Sequence, residues 1–314
     1  MKIAVVDDYQ KIAREMADWS AIEGSHDVTF FHEPIGDRDA VVAALKDFDV
    51  LCIMRERTLF DRATLEGLSN LKFLVTTGMR NAALNLEYLK ERGIPVSGTG
   101  GSTNATPELA WGLMLSLARH IPTENQRMRE GSWITTLGTD LDGSTLGIVG
   151  LGRLGAMVAK VGNAFGMEVI AWSQNLTDDQ AAEAGAKRVS KEDLFRQSDF
   201  ITIHYKLSER STGLVGAGEL AMMKSTAYIV NTSRGPIIDN DALIAALKAG
   251  QIGGAGLDVY NDEPLAKDHP IRSCPRTVLT PHLGYVSKAT YKQFYGETVE
   301  DLAAWFAGSP VRLL

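Results

Sequence analysis

The chain is poor in cysteine, in long apolar runs and in excess positive charge, and each shortage excludes a class of protein. Its 314 residues hold two cysteines, Cys52 and Cys274, too few for a disulfide framework, which predicts a reducing, cytoplasmic setting. No apolar run reaches the ~18 residues of a membrane span, and the short acidic start Met1–Asp8 is unlike a signal peptide. With 32 Lys and Arg against 39 Asp and Glu, the net charge of −7 predicts neither a nucleic-acid nor a membrane partner.

Short apolar segments alternate with helical patterns along the first hundred residues. Ile3–Val6 and Val50–Met54 are typical of buried strands, and Asp39–Lys46 between them is typical of a helix. This alternation predicts an α/β fold with a parallel sheet covered by helices on both faces. A length of 314 residues suggests about two domains.

A glycine-rich break, Gly98–Ser102, predicts a hinge after the first series. A second alternating series runs from Gly143 to about Pro281 and predicts a second α/β domain. Helices are predicted at Thr106–Ala118, opened by Pro107 at its first turn, and at Ser287–Phe306.

A dinucleotide-binding signature opens the second series. The strand Thr145–Val149 leads into Gly150-Leu151-Gly152-Arg153-Leu154-Gly155, followed by a helix Ala156–Phe165 and a second strand Glu168–Trp172. In this pattern Gly150 allows a tight turn, Gly152 lets a pyrophosphate approach the backbone, and Gly155 lets helix and strand pack closely. The helix N-terminus then offers free N–H groups to the phosphates. A glycine-rich turn without a ligand is the alternative.

The end of the second strand lacks the carboxylate that usually binds the ribose hydroxyls of NAD. Ser173, Gln174 and Asn175 stand there instead, and Asp178 and Asp179 are predicted to start the next helix. The absence of an acid removes a barrier against the 2′-phosphate of NADP, but no arginine there favours NADP either. The sequence therefore leaves NAD(H) and NADP(H) open.

Polar residues follow three later strand patterns, where open α/β sheets bind ligands. Arg234, Asp258, Glu263 and His282 are expected to converge there. An arginine can hold a carboxylate in two-pronged fashion, a histidine can exchange a proton with a carbonyl oxygen, and a glutamate can orient the imidazole. Taken alone, each has a structural explanation: an exposed turn charge, a turn former, a loop acid and a structural histidine. The remaining histidines stand outside these motifs and are interpreted as structural, namely His26, His32, His120, His204 and His269.

In combination these motifs resemble the D-2-hydroxyacid dehydrogenase family, which includes phosphoglycerate dehydrogenases and glyoxylate/hydroxypyruvate reductases. The similarity is densest over Leu146–Gly155, Val230–Gly235, Ala255–Tyr260, Glu263-Pro264 and Thr280–Gly284. The resemblance implies two doubly wound parallel-sheet domains, a Rossmann nucleotide domain inserted into a flavodoxin-like substrate domain. Their predicted bounds are 102–284 for the nucleotide domain and 1–101 plus 285–314 for the substrate domain. The family also implies a homodimer.

The resemblance assigns roles by position. His282 matches the acid/base, Glu263 its orienting partner and Arg234 the catalytic and substrate-binding arginine. The predicted substrate-binding residues are Arg55, Gly78, Met79, Asn104, Arg234 and His282. The predicted cofactor-binding residues are Gly150, Gly152, Arg153, Leu154, Gly155, Ser173, Gln174, Asn175, Lys206, Thr232 and Asp258. No metal site is predicted.

Two of these assignments keep an alternative. Lys206 replaces a proline common in the family and is predicted to help receive a 2′-phosphate, or else to be an exposed loop lysine. Arg55, in a segment like the Arg-x-Arg-Thr of phosphoglycerate dehydrogenases, is predicted to meet a substrate carboxylate or phosphate, or else to pair with Glu56, Asp61 or Glu66.

The implied function is hydride transfer between NAD(P)(H) and C2 of a small 2-hydroxy or 2-oxo acid, of the glyoxylate, hydroxypyruvate or phosphoglycerate type. The alternative is a binding protein without turnover, similar to the NAD(H)-sensing corepressors that resemble this family.

Overall fold

The computed structural model describes residues 1–101 and 104–314. The chain divides into two units, Met1–Ser102 with Val286–Leu314, and Thr103–Tyr285. Ser102, which ends the predicted hinge and begins the predicted nucleotide domain, lies outside the described residues. All strands in the two described sheets pair in parallel, which confirms the predicted fold class.

The first unit is built on a five-stranded sheet of order β2-β1-β3-β4-β5, the flavodoxin-like order. Its strands are β1 (Lys2–Val5), β2 (Asp27–Phe30), β3 (Val50–Ile53), β4 (Phe73–Thr76) and β5 (Val96–Gly98). Its first helices are α1 (Ala13–Met16), α2 (Ser20–Glu23), α3 (Arg38–Leu45), α4 (Arg62–Glu66) and α5 (Leu86–Glu91). Strands β3 and β4 are buried at every position because helices cover both faces of the sheet.

The second unit is built on a seven-stranded sheet. Its strands are β6 (Thr145–Val149), β7 (Glu168–Trp172), β8 (Lys187–Arg188), β9 (Phe200–Ile203), β10 (Tyr228–Asn231), β11 (Gly254–Leu257) and β12 (Thr277–Leu279). Its helices are α6 (Ala105–Ala118), α7 (Ile121–Arg129), α8 (Arg153–Ala164), α9 (Asp178–Glu183), α10 (Lys191–Gln197), α11 (Ala217–Met222) and α12 (Asn240–Ala249). Short 3₁₀ turns lie at Glu209–Ser211, Gly235–Ile237 and Pro270–Ser273.

The strand order of the second sheet is β12-β11-β10-β9-β6-β7-β8, so the direction of winding reverses beside β6. Ligands of open α/β sheets bind outside the carboxyl ends of the strands at such a reversal. Trp111, Met114 and Leu117 of α6 belong to one apolar cluster of this unit, and Leu243 and Leu247 of α12 belong to another. Apolar side chains of both helices therefore pack into the core of this unit.

The C-terminal segment completes the first unit. Helix α13 (Lys288–Phe306) is capped by Ser287, and Trp305 stacks on Phe73 of β4 with ring centroids 4.8 Å apart. The last residues then pair with β5, because the Gly98 N–H donates to the Arg312 carbonyl at 2.9 Å. Among the described residues, no helix is both long and apolar enough to cross a membrane.

Most predicted elements are present, with small differences at their ends. Helix α8 begins at Arg153 and not at the predicted Ala156, since Gly155 lies within its first turn. The weak helix propensity of glycine is overridden there by close packing against the preceding strand. Gly98, the first residue of the predicted hinge, is the last residue of strand β5.

Candidate active site

The turn after β6 has room only for glycine at two positions. Gly150 has φ +99°, and a Cβ atom on it would lie 2.5 Å from the His204 carbonyl oxygen. A Cβ atom on Gly155 would lie 2.3 Å from the Gly150 carbonyl oxygen. The turn can therefore be this tight, and α8 can start this close to β6, only without side chains.

The N-terminus of α8 is open to a ligand. Gly152 is the N-cap residue, and in the described part of the chain no side chain caps the helix. A Cβ atom on Gly152 would meet no atom within 4 Å, unlike at its two neighbours in the motif. The open space and the unpaired N–H groups of the first helical turn fit the pyrophosphate of a dinucleotide.

The predicted ribose-binding positions carry no acid in the structure either. The Ser173 hydroxyl accepts a hydrogen bond from the Leu151 N–H at 2.9 Å, so it faces the glycine-rich turn. Gln174, Asn175 and Lys206 are exposed. These contacts and exposures leave the choice between the two nicotinamide dinucleotides open.

Two buried polar atoms lie at the ends of the neighbouring strands. Thr232 follows β10 and His204 follows β9, and among the described residues neither Thr232 Oγ1 nor His204 Nδ1 has a hydrogen-bond partner. Burial lowers the pKa of His204 to about 4, so this imidazole is neutral at pH 7. His204 Nε2 lies 2.9 Å from Thr202 Oγ1, which agrees with its interpretation as a structural histidine.

Asp258, directly after β11, holds the loop that carries His282. Its Oδ1 accepts hydrogen bonds from Thr280 Oγ1 at 2.6 Å and from the Leu283 N–H at 2.7 Å. Its Oδ2 accepts one from the Gly284 N–H at 2.8 Å. Burial raises the pKa of Asp258, although these donors and the charge of His282 oppose that rise. Sequence reasoning placed Asp258 near the cofactor and missed both this anchoring and Thr280.

His282 and Glu263 form a hydrogen-bonded pair. His282 Nδ1 lies 2.5 Å from Glu263 Oε2, and the side chains are 22% and 30% exposed. The other carboxylate oxygen of Glu263 accepts from the Tyr260 N–H at 2.9 Å. Burial alone would raise the pKa of Glu263, but the hydrogen bond and charge of His282, the Tyr260 N–H and the charge of Arg234 hold it below its usual value. A charged carboxylate on Nδ1 leaves Nε2 as the nitrogen that can act on a substrate.

Arg234 lies on the turn after β10, next to this pair. Asn231 Nδ2 donates to the Arg234 carbonyl at 2.9 Å and thereby fixes the turn. A Cβ atom on Gly235 would lie 2.1 Å from the Tyr260 carbonyl carbon, so only glycine lets this turn approach the Tyr260–Glu263 loop. The charge of Arg234 acts on the Glu263 carboxyl. A cation, a carboxylate and an imidazole from distant stretches of sequence are therefore brought together, as expected.

The predicted substrate loop lies in the first unit, after β4. Gly78 has φ +86°, and its N–H donates to Thr99 Oγ1 at 2.9 Å. Met79 is 48% exposed. Asn104 is exposed at the start of α6, in the second unit. The Gly78 amide thus has a protein acceptor already, which sequence reasoning did not foresee.

Arg55 has several protein partners. Its Nη2 lies 3.3 Å from Glu56 Oε2, which was one of the predicted alternatives. Asp61 and Glu66, the other acids considered, pair with Arg38 and Arg62.

Known proteins of similar sequence and structure are dehydrogenases and reductases, in agreement with the geometry of this site. The profile of the D-isomer specific 2-hydroxyacid dehydrogenase NAD binding domain matches residues 111–284. A glyoxylate reductase from Aeropyrum pernix is 39% identical over 72% of this chain and 70% of its own length. Another from Thermococcus litoralis is 35% identical over 91% of this chain and 89% of its own. The crystal structure of a phosphoglycerate oxidoreductase from Vibrio cholerae superposes with a TM-score of 0.93 at 33% identity, covering 98% of this chain and all of that one.

Proposed function

Because the chain belongs to the D-isomer specific 2-hydroxyacid dehydrogenase family, we propose that it interconverts a small 2-oxo acid and the corresponding D-2-hydroxy acid. Membership of this family itself implies that the chain is a nicotinamide-dependent oxidoreductase of 2-hydroxy acids. The observation that carries the proposal is the His282–Glu263 pair, with Arg234 beside it, in the unit that also carries the glycine-rich turn.

His282 acts as the general acid in the reducing direction. Protonated His282 donates from Nε2 to the carbonyl oxygen of the substrate as negative charge develops there, and it recovers a proton from solvent after turnover. Glu263 orients the ring through Nδ1, and this carboxyl stays charged at neutral pH because its pKa is held below the usual value. In the oxidising direction the neutral ring takes the proton back.

Arg234 supplies the fixed positive charge. Its guanidinium binds the carboxylate of the substrate and polarises the neighbouring carbonyl. We assign the Gly78 and Met79 backbone and Asn104 to the substrate as well, on the strength of the family resemblance. Of the two loop amides, that of Met79 is the better carboxylate donor in this proposal, because the Gly78 N–H already donates to Thr99.

The nicotinamide cofactor, when bound, supplies or accepts the hydride at C2 of the substrate. The open N-terminus of α8 is proposed to hold its pyrophosphate, with Arg153 and Leu154 in the first turn. Ser173, Gln174, Asn175 and Lys206 are proposed to surround the adenosine ribose. With no acid among them, we propose that NADP(H) is accepted as well as NAD(H).

Glyoxylate and hydroxypyruvate are the first substrates to test, with the phosphoglycerate type next. Relatives are named as glyoxylate reductases and a phosphoglycerate oxidoreductase, which supports this range of small acids. A corepressor-like role gains no support from these relatives, which are named for the reactions they catalyse.

The protein is proposed to act as a cytoplasmic homodimer. An exposed apolar surface in the second unit consists of Ile121 and Met128 of α7 and of Trp133 and Ile134, which follow it. Trp133 is 74% exposed and Leu137, four residues further along the chain, is 92% exposed. Exposed apolar surface of this kind is typical of protein–protein interfaces. A second copy of this chain is the proposed occupant. The two free, buried cysteines agree with a reducing compartment.

The proposal is tested by a matrix of 2-oxo acids against NADH and NADPH, followed at the absorbance of the reduced cofactor. His282→Ala should lower kcat by about 10²–10⁴-fold while cofactor binding changes little. His32→Ala is the matched control, because His32 also pairs with a carboxylate, Asp8 at 3.3 Å, but in the first unit. Tight cofactor binding without turnover of any acid, or full turnover by His282→Ala, would refute the function.

The same matrix tests the cofactor assignment. Lys206→Ala should raise the KM for NADPH more than the KM for NADH if its charge meets a 2′-phosphate. Equal effects on the two cofactors would leave Lys206 as an exposed loop residue.

A further inference from the structure

Arg55 is a mostly buried cation whose partners include two main-chain carbonyl oxygens. Its side chain is 19% exposed, and it follows β3 in the left-handed conformation at φ +49°. Nη1 donates to the Thr77 carbonyl at 3.2 Å and to the Arg80 carbonyl at 3.3 Å. These two bonds use both hydrogens of Nη1 and link the two ends of the Thr77–Arg80 loop.

The main chain of Arg55 is tied to the same loop. Its N–H donates to Thr77 Oγ1 at 2.8 Å, and its carbonyl accepts from Asn81 Nδ2 at 2.7 Å. Gly78 packs directly on the guanidinium, since a Cβ atom there would lie 1.9 Å from Arg55 Nη1. A non-glycine residue keeps a left-handed backbone only where its surroundings determine it, and here the loop does so.

The charge of Arg55 is also compensated within the protein. Glu56 Oε2 lies 3.3 Å from Nη2, and the Glu56 side chain is likewise 19% exposed. Glu56 and the two loop carbonyls already engage this guanidinium, which favours a role in holding the loop over a role in binding the substrate.

We propose that Arg55 is a positioning residue, which fixes the main chain of the Thr77–Asn81 loop so that the Met79 amide meets the carboxylate shared by all 2-oxo acids. It does not bind the variable far end of the substrate. This inference rests on the proposed function and replaces the substrate contact that the family resemblance implies for Arg55.

The test compares two probes that differ at the far end. Glyoxylate has no group beyond C2, and 3-phosphohydroxypyruvate carries a phosphate there. Arg55→Met should raise KM, or the competitive Ki where turnover is slow, about tenfold or more for both probes alike. The change in kcat should be smaller than the change in KM, and the Kd of the reduced cofactor should stay within about twofold of wild type.

A second variant removes a neutral part of the same brace. Asn81→Ala deletes the donor to the Arg55 carbonyl without changing charge, and it should raise KM for both probes in the same direction. Arg62→Met is the matched control, since Arg62 is 57% exposed and its ion pairs in the described part of the chain are with the surface acids Glu66 and Glu91. Its KM values should stay at the wild-type level.

The outcomes separate this inference from the function on which it rests. A wild-type protein that turns over no 2-oxo acid contradicts the proposed function. A wild type that is active, with Arg55→Met impaired for 3-phosphohydroxypyruvate alone and Asn81→Ala normal, overturns the positioning role and returns Arg55 to direct substrate binding. If Arg55→Met does not fold, Asn81→Ala with the two probes decides the question alone.

Discussion

Asparagine in place of Asp258 distinguishes an anchor of the His282 loop from a direct contact to the cofactor. The carboxylate receives Thr280 Oγ1 and the Leu283 N–H on Oδ1, and the Gly284 N–H on Oδ2. Asparagine has one accepting oxygen, so at least one of these buried donors would face an NH₂ group and lose its acceptor.

The size of the effect follows from those bonds. A hydrogen bond to a charged group is worth about 1.5–3 kcal/mol, and a buried donor left without an acceptor costs about 1–3 kcal/mol. Burial raises the pKa of Asp258, which shows that the site disfavours the charge, so its removal offsets part of that loss. We expect Asp258→Asn to lower the free energy of unfolding of the second unit by about 1–3 kcal/mol.

The effect on catalysis should be larger than the effect on stability. A shift of about 1 Å in a catalytic group costs on the order of 10²-fold in rate, and the His282 loop loses an anchor next to that residue. Steady-state kinetics should show kcat reduced by about 10–100-fold, with cofactor Kd nearly unchanged.

Thr280→Val provides the matched comparison. It removes one donor to Asp258 Oδ1 and leaves the carboxylate in place, so it should lower kcat in the same direction by a smaller factor. Unchanged kcat in both variants, together with a tenfold weaker cofactor Kd in Asp258→Asn alone, would refute the anchoring role and favour a contact with the cofactor.

Two further outcomes concern assembly and pH. The double variant Trp133→Ser/Leu137→Ser should sediment as a monomer where the wild type sediments as a dimer, because both exposed side chains would be buried between copies; a monomeric wild type would exclude this interface. Burial, assisted by the charges of Glu297 and Glu300 and opposed by Arg312, raises the pKa of Asp301 to about 7. The folded state therefore holds this proton more tightly than the unfolded state, and its stabilising effect is lost as pH rises from about 4 towards 7. In urea unfolding at pH 5 and pH 8, wild type should lose more stability than Asp301→Asn; equal losses would contradict the raised pKa.

Local sequence patterns predicted much of the fold, because apolar runs and capping residues indicate a strand or a helix within a few residues. Thr145–Val149, a run of mostly apolar residues, is a strand with the predicted bounds. Asp178 starts a helix as predicted, since Thr177 and Gln180 form a capping box in front of it. Helix α7 (Ile121–Arg129) was not predicted, because it has no buried residue and therefore no apolar periodicity to detect.

The partners of the site residues were less accessible to sequence reasoning. The hydrogen bonds of Asp258 reach 22 to 26 residues along the chain, and no local pattern relates those positions. Arg55 presents the same difficulty, because a sequence shows a charge near other charges but not the carbonyls of a loop that folds onto it. Residue types predicted which side chains could act as acids, bases or charges. The structure shows which of these side chains are already bound by other groups of the protein.

Positive-φ backbone occurs just after strands in each of the two units. In the first unit, Asp7, Arg55 and Gly78 have positive φ just after β1, β3 and β4, and in the second unit Gly150 and His282 do so just after β6 and β12. A chain leaving the carboxyl edge of a parallel sheet must turn sharply, and for residues with a side chain this conformation costs about 1–3 kcal/mol. At Arg55 and His282 a hydrogen bond holds it: the Arg55 N–H donates to Thr77 Oγ1 and the His282 N–H to the Asp258 carbonyl, each at 2.8 Å. Since such strain persists only where neighbouring groups determine it, loss of the Thr77 hydroxyl should displace Arg55 without removing any reacting group.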